Sequence, residues 1–335
     1  MYNHKNPKIT VLMPVYNCEL YIRESIESIL NQTFDDFEFL IIDDASTDST
    51  VDKIKMYNDK RIKLIEKSLN TGLTNSLNYG LAIAKGEYIA RMDGDDISLP
   101  KRFEKQIAFL DQNQDVILCG TLYKIIGTEK VCEHPLFHDE IKVKLISGCY
   151  IAHPTVMIRK FILEQNKISY DSTKEPAEDY DLWSRLAFLG KLSNIGEVLL
   201  HYRVHPLQVS ILRREKQIKI SDQIKIRMLQ KVMPSLKIDF DKFVLIESQK
   251  WVKVLIQKLI LYDRLMIENS YINTYDSKYF LDFINQEKIS IWKQFSQKKE
   301  SYSLLNLLRI ITTYPRIFLY LGLKDSTKYI IKCFF

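Results

Sequence analysis

Alternating strand and helix signals along the 335 residues predict an α/β fold, a doubly wound mixed sheet flanked by helices, followed by a mainly α-helical C-terminal region. Short apolar runs alternate with stripes at helical spacing through the first part of the chain, the rhythm of βαβ units. Two of those runs stop abruptly at carboxylates, Asp43-Asp44 and Asp93-Gly94-Asp95-Asp96. Beyond about Ser210 the pattern gives way to long Lys-, Ile- and Leu-rich segments with few glycines.

Lys8 to Pro14 (KITVLMP) is a short apolar run and the first buried strand. Ile22, Ile26, Ile29 and Leu30 follow at helical spacing, with Asn17 available as a cap. Phe37 to Ile42 (FEFLII) is the second strand. Asp48 to Tyr57 reads as a helix, and Arg61 to Ile65 alternates with Ile62 and Leu64 on one face. Leu73, Leu77, Leu81 and Ala84 form a helical stripe that ends at Gly86, placed as a C′ glycine. Tyr88 to Met92 is another strand running into Asp93. Phe103, Ile107 and Leu110 mark a helix, and Val116–Gly120 and Thr155–Ile158 further strands. Ligands of such sheets bind outside the carboxyl ends of the strands, the edge where the acids stand.

The C-terminal segments are expected as helices over 213–233, 242–268, 277–297 and 301–333, with a soft domain boundary near 210. Charge divides there too. Residues 1–200 carry 24 Lys and Arg against 30 Asp and Glu, net −6; residues 201–335 carry 24 against 12, net +12. An acidic half suits a cation-dependent site and a basic half suits anionic surfaces. Five scattered cysteines without a CxxC pair point to reduced thiols in the cytoplasm, not to disulfides or zinc. The N-terminus lacks the pattern of a signal peptide, and no run reaches the ~18 apolar residues of a transmembrane helix.

An acid at a strand end also caps the next helix, so one such cluster alone is ordinary. Two on one sheet edge are harder to explain structurally, because like charges repel unless a cation lies between them. Gly94 lets the backbone turn so that flanking side chains converge. Hard oxygen ligands of this kind suit Mg²⁺ or Mn²⁺, usually shared with phosphate oxygens.

Pro14-Val15-Tyr16-Asn17, Ile41-Ile42-Asp43-Asp44-Ala45-Ser46-Thr47-Asp48, Asn70-Thr71-Gly72 and Asp93-Gly94-Asp95-Asp96 follow in order at characteristic spacing. The set resembles the family 2 glycosyltransferases of GT-A fold, over roughly residues 7–210. That resemblance implies an inverting transferase using a nucleotide diphosphate sugar, with UDP expected. It implies that Pro14, Val15 and Tyr16 hold uracil and ribose with one of Asp43 and Asp44, Asp44 ahead, and that Asn17 belongs to the same nucleotide-sugar site. Asn70, Gly72, Arg91, Asp93, Gly94, Asp95 and His153 would complete the donor site. The acidic loop would be the DxD motif, with Asp95, Asp96 and His205 as metal ligands.

Glu178 and Asp179 begin a segment whose apolar face includes Leu182, Leu186 and Leu189. Acids in a first helical turn also simply complement the dipole. By the resemblance, Asp179 is the catalytic base, with Glu178 next, and a helix N-terminus would keep it ionised. Arg203 and His205 share a loop in which a metal or phosphate contact is expected. The QxxRW signature of the family's processive synthases is absent, which favours transfer of one sugar per acceptor. The expected acceptor is a saccharide or lipid-linked saccharide, chosen by loops around 120–150 and by the helical half. Two rivals remain at this stage, a metal-dependent nucleotidyltransferase and a nucleic-acid-binding protein suggested by the basic half. No glycine-rich triphosphate loop supports the first and no binding motif the second, so no nucleic-acid partner is expected. The basic, apolar segment 301–335 is a candidate for peripheral contact at the inner face of the membrane.

Overall fold

The computed structural model describes residues 6–206, 208–234, 251–297 and 301–334. They form two compact units, Met1–Ile224 and Lys225–Phe335. This division lies beyond the 210 suggested by composition, inside a helix that spans it.

The first unit opens with β1 (Ile9–Val15), α1 (Ile22–Leu30), β2 (Phe37–Asp43), α2 (Thr50–Lys55), β3 (Ile62–Glu66), α3 (Leu73–Ile83) and β4 (Tyr88–Arg91). β5 (Ile97–Ser98), α4 (Arg102–Gln112), β6 (Val116–Ile125), β7 (Val131–Cys132) and α5 (His138–Lys144) follow. A 3₁₀ turn at His153–Thr155 leads into β8 (Met157–Arg159), α6 (Lys160–Gln165), α7 (Glu178–Leu186), β9 (Lys191–Tyr202), α8 (Val209–Leu212) and α9 (Arg214–Gln230). The sheet order is β3-β2-β1-β4-β8-β6-β9-β5, with β7 beside β6. β3, β2, β1 and β4 are parallel, β8 is antiparallel to both neighbours, and β9 returns parallel to β6.

Every residue of β1 and β2 is buried, the signature of strands covered on both faces. Ile9, Val11, Met13 and Val15 pack with Ile22, Ile26 and Ile29 of α1 and with Phe103 and Ile107 of α4. On the other face α3 lies so close that a Cβ at Gly80 would stand 2.2 Å from Leu12.

Several expectations are corrected. Asn17 does not cap α1, which begins at Ile22 without a side-chain cap. Gly86 is not a C′ residue in left-handed conformation; a Cβ there would lie 2.2 Å from the backbone N of Thr10, so it permits close approach to β1. Leu189 lies beyond α7 and is 45% exposed. Thr155 belongs to the 3₁₀ turn, not to a strand.

In the second unit are α10 (Trp251–Ile272), α11 (Ser277–Ser296), α12 (Leu304–Thr313) and α13 (Ile317–Phe334). The single helix expected over 301–333 is two, broken where Pro315 follows Tyr314. The start of the helix expected over 242–268 lies outside the described residues. Trp292 is buried among Phe295, Phe318 and Tyr329, with the Tyr329 ring 4.7 Å away. Asp263 accepts from Lys288 Nζ at 2.5 Å and from Tyr314 O–H at 2.6 Å, tying α10, α11 and the α12–α13 junction together.

Candidate active site

β1 and β2 end side by side, with Val15 paired to Asp43. Their following loops interlock. The backbone N–H of Asn17 donates to Ser46 Oγ at 2.9 Å, and Asn17 Oδ1 accepts from the Thr47 N–H at 2.8 Å. Asn17 adopts φ 51°, a left-handed conformation that asparagine tolerates better than most residues. Pro14 lies inside β1, whereas Tyr16 stands 47% exposed at this edge.

The two acids at the end of β2 differ sharply. Asp44 accepts from Gly72 N–H at 2.8 Å, Thr71 N–H at 3.1 Å and Lys67 Nζ at 2.5 Å. Burial would raise its pKa, but these donors more than offset that and hold it below the ordinary carboxylate value. Asp43 accepts from Ser46 N–H through one oxygen, while its Oδ1 is buried without a partner. Of the two acids, Asp43 is the one with an oxygen that no donor meets. Gly72 takes φ 93°, which delivers its N–H to Asp44 at the start of α3, while Asn70 is exposed.

The acidic loop follows β4. Gly94 serves by close approach and not by a left-handed turn: a Cβ there would lie 2.9 Å from Val15 Cγ1 and 3.2 Å from Cys18 Sγ. One oxygen from each of Asp93, Asp95 and Asp96 lies within 4.8 Å of the others. Arg91, 2% exposed, pairs its Nη2 with Asp93 at 2.6 Å. His205 Nε2 lies 2.9 Å from Asp95 Oδ2. Arg203 donates its backbone N–H to Asp96 Oδ1 and its Nε–H to the Asp95 carbonyl, both at 2.8 Å, and its guanidinium continues to Glu24 at 2.5 Å. The Arg203 side chain is thus engaged within the protein, beside the His205 for which a metal or phosphate contact is expected. Asp96 Oδ2 is buried and has no partner.

Burial, then the charge of Asp93, raises Asp95 against the opposing His205; the same forces lift Asp96 well above the ordinary carboxylate value. Three crowded carboxylates with an orphaned inward oxygen, plus one imidazole alongside, are a donor set that fits Mg²⁺ or Mn²⁺. Asp93 lies in one group with the expected ligands Asp95 and Asp96, and His205 stands against Asp95.

Glu178 and Asp179 form the first turn of α7. Burial raises Asp179 to about 6, opposed by the hydrogen bond from Tyr180 N–H and by Arg91. The helix N-terminus thus does not hold it at the ordinary value; desolvation outweighs the dipole. Glu178, 4% exposed with Oε2 unpaired, is pushed up to about 8 by burial and then by Asp179. Of the pair, Glu178 is lifted further than Asp179. Cys149 Sγ lies 3.8 Å from Asp179 Oδ2.

His153 is held in an aromatic group, its Nε2 2.9 Å from Tyr170 O–H and its ring 5.8 Å from Trp183. Burial, then Arg91, keeps the imidazole neutral. Lys67, Glu175 and Tyr170 escaped sequence reasoning. Glu175 Oε2 accepts from Thr74 N–H and O–H at 3.2 and 3.0 Å, and Oε1 from Arg213 Nη1 at 2.8 Å. Lys67, just past β3, carried a local signal, since a strand neighbouring Asp43-Asp44 invites a cation there.

The profile of Glycosyl transferase family 2 matches residues 10–180. An uncharacterized glycosyltransferase of Haemophilus influenzae is 33% identical over 317 residues, covering 87% of this chain and 97% of that protein. The chain belongs to glycosyltransferase family 2. The UDP-Glc:alpha-D-GlcNAc-diphosphoundecaprenol beta-1,3-glucosyltransferase WfgD of Escherichia coli is 32% identical to this glycosyltransferase, covering 60% of it and 79% of WfgD. S. aureus TarS 1–349, solved in complex with UDP, superposes with a TM-score of 0.56 at 21% identity, covering 87% of this chain and 91% of TarS 1–349. The fold of this glycosyltransferase is accordingly GT-A. Among the described residues no helix is long and apolar enough to cross a membrane.

Proposed function

We propose that this glycosyltransferase moves one sugar from a UDP-sugar to an acceptor hydroxyl with inversion, using a divalent cation, in surface polysaccharide or lipid-linked glycan synthesis. The observation that carries the reading is the crowding of Asp93, Asp95 and Asp96 at the sheet edge, with Asp96 Oδ2 orphaned and buried. UDP as the nucleotide is supported by the free Asp43 Oδ1 beside the exposed Tyr16, and by the UDP named for TarS and WfgD. A lipid-linked acceptor is supported by the diphosphoundecaprenol acceptor in the name of WfgD.

Each residue then has a role. Asp93, Asp95 and Asp96 hold the cation, which when bound neutralises charge on the departing diphosphate. His205 and the Arg203 backbone orient Asp95 and Asp96. Asp43 accepts the uracil N3–H while Tyr16 packs the ring. Asp179, lifted less than Glu178, takes the acceptor proton as the hydroxyl attacks the anomeric carbon in line and the diphosphate departs, which inverts the configuration. The Lys225–Phe335 unit would serve acceptor, membrane or subunit contacts.

A membrane-facing surface is supported by α12 and α13. Leu305 and Leu308 are 59% and 51% exposed, with Leu304 and Ile311 exposed beside them. Arg309, Lys324 and Lys328 are exposed on the same two helices and Arg316 is exposed between them, a combination suited to anionic lipid.

A panel of UDP-, GDP- and CDP-sugars tests the reading. Release of nucleoside diphosphate with a UDP-sugar, abolished by EDTA and by Asp95→Ala, is expected. Release of pyrophosphate from a nucleoside triphosphate and sugar phosphate, or full activity of Asp95→Ala in EDTA, would overturn it.

A further inference from the structure

Beneath the acidic loop lies a guanidinium whose surroundings call for explanation. Arg102, the first residue of α4, is 0% exposed and forms no ion pair with a carboxylate among the described residues. A buried charge is costly unless its hydrogen bonds are met. Arg102 meets them with groups at both ends of the acidic loop. Its Nη2 donates to the Arg91 carbonyl at 2.5 Å, immediately before the loop, and its Nη1 lies 3.5 Å from Ser98 Oγ, immediately after it. Met92 Sδ is also 3.5 Å from Nη1.

The Nε–H extends the network. Arg102 Nε donates at 3.1 Å to Gln106 Oε1, one helical turn on, and Gln106 is likewise 0% exposed. Gln106 Nε2 donates to the Thr155 carbonyl at 2.8 Å and to the Cys119 carbonyl at 3.1 Å. One buried pair on α4 therefore grips the end of β4, the end of β5, β6 at Cys119 and the turn that carries His153. Asp93 and Asp96 are the carboxylates whose fields act on Arg102 most strongly.

An apolar side chain would fill this space at lower desolvation cost. A planar fork that spans Arg91 and Ser98 instead fixes the distance between the two ends of the loop, which a lysine or methionine cannot reproduce. We infer that Arg102 is a positioning residue for the cation site, holding Asp93, Asp95 and Asp96 convergent through the Arg91 carbonyl and Ser98, with Gln106 as its support. The inference rests on the cation reading above.

The test is Mn²⁺ binding to the full chain, followed by calorimetry and by Mn²⁺ electron paramagnetic resonance, with wild type, Arg102→Lys, Arg102→Met and Ile107→Ala. Ile107 is a core residue of the same helix that makes no contact with the loop ends through hydrogen bonds. Arg102→Lys is expected to keep a cooperative melting transition and to lose about tenfold or more in Mn²⁺ affinity, the usual scale for residues that orient metal ligands. With donor sugar, its KM at fixed Mn²⁺ should rise more than its kcat falls. Ile107→Ala should melt earlier yet bind Mn²⁺ as wild type does. Folded Arg102→Lys or Arg102→Met with wild-type Mn²⁺ affinity would overturn the inference, as would equal weakening in Ile107→Ala. If Arg102→Met does not fold, Arg102→Lys alone decides. Wild type that binds no Mn²⁺ would overturn the cation reading itself and this inference with it.

Discussion

Asp43 and Asp44 are adjacent in sequence and opposite in circumstance: Asp44 accepts from Lys67, Thr71 and Gly72, whereas Asp43 leaves Oδ1 buried without a donor. Asp44 Oδ1 already accepts two donors and Oδ2 one, whereas Asp43 Oδ1 accepts none and is the oxygen that gains most from a new donor.

Nucleotide choice follows. Uracil offers N3–H to Asp43, while cytosine has no hydrogen at N3 and would leave the carboxylate facing an acceptor. Such a mismatch costs ~1–3 kcal/mol or more, about ten- to a hundredfold in affinity. Guanine offers N1–H, but its bicyclic ring should fit less well beside Tyr16. UDP is expected to bind at least about tenfold tighter than CDP or GDP in Mn²⁺ calorimetry, and Asp43→Asn should erase most of that margin. Asp44→Asn should chiefly loosen the start of α3. Equal affinities for the three diphosphates would contradict the uracil assignment.

Activity should respond to acid. Asp179 must be ionised to act as base, and burial lifts it to about 6. The rate is therefore expected to fall as pH drops through about 6, approaching tenfold per unit below it. Stability of the cation-free protein should move the other way. Carboxyls raised in the folded state favour folding while protonated, so Asp179 and Glu178 cost stability as pH climbs from the ordinary carboxylate range toward about 8. A rate profile flat across pH 5 to 7 at saturating Mn²⁺ would remove Asp179 as the titrating base.

The α12 face gives a separate expectation. Leu305 and Leu308 are exposed, whereas Leu307 and Ile310 are buried, so charges at the first pair should spare the fold. Leu305→Asp with Leu308→Asp is expected to lower co-sedimentation with vesicles of acidic lipid by about tenfold at low salt. Wild-type protein that ignores such vesicles would show that this face does not meet lipid.

What could be read in advance, and what could not, has a physical basis. β1, β2 and β4 are buried on both faces, so each appears as a largely apolar run, with Glu38 buried inside β2 and Arg91 at the end of β4. β9 was not foreseen, because Gly196 and Glu197 interrupt its apolar pattern where its register with β6 is irregular. The break between α12 and α13 had a sequence signal in Pro315, outweighed by the apolar stripe on either side. The acidic loop was legible because its ligands are neighbours in the chain. Arg102 was not, since its partners, the carbonyl of Arg91 and through Gln106 that of Thr155, are set by the fold alone. The difference between Asp43 and Asp44 likewise depends on Lys67 and Gly72, brought together by the β2–β3 pairing and the start of α3.

The central claim is that Asp179 removes the acceptor proton at a donor site built by other residues. Asp179→Asn tests it most directly, with donor binding and sugar transfer measured on the same preparation. The account predicts UDP-sugar affinity within about twofold of wild type and transfer slowed by roughly 10²-fold or more. Wild-type turnover in that variant would contradict it and move the base elsewhere, with Glu178 the next carboxylate to examine.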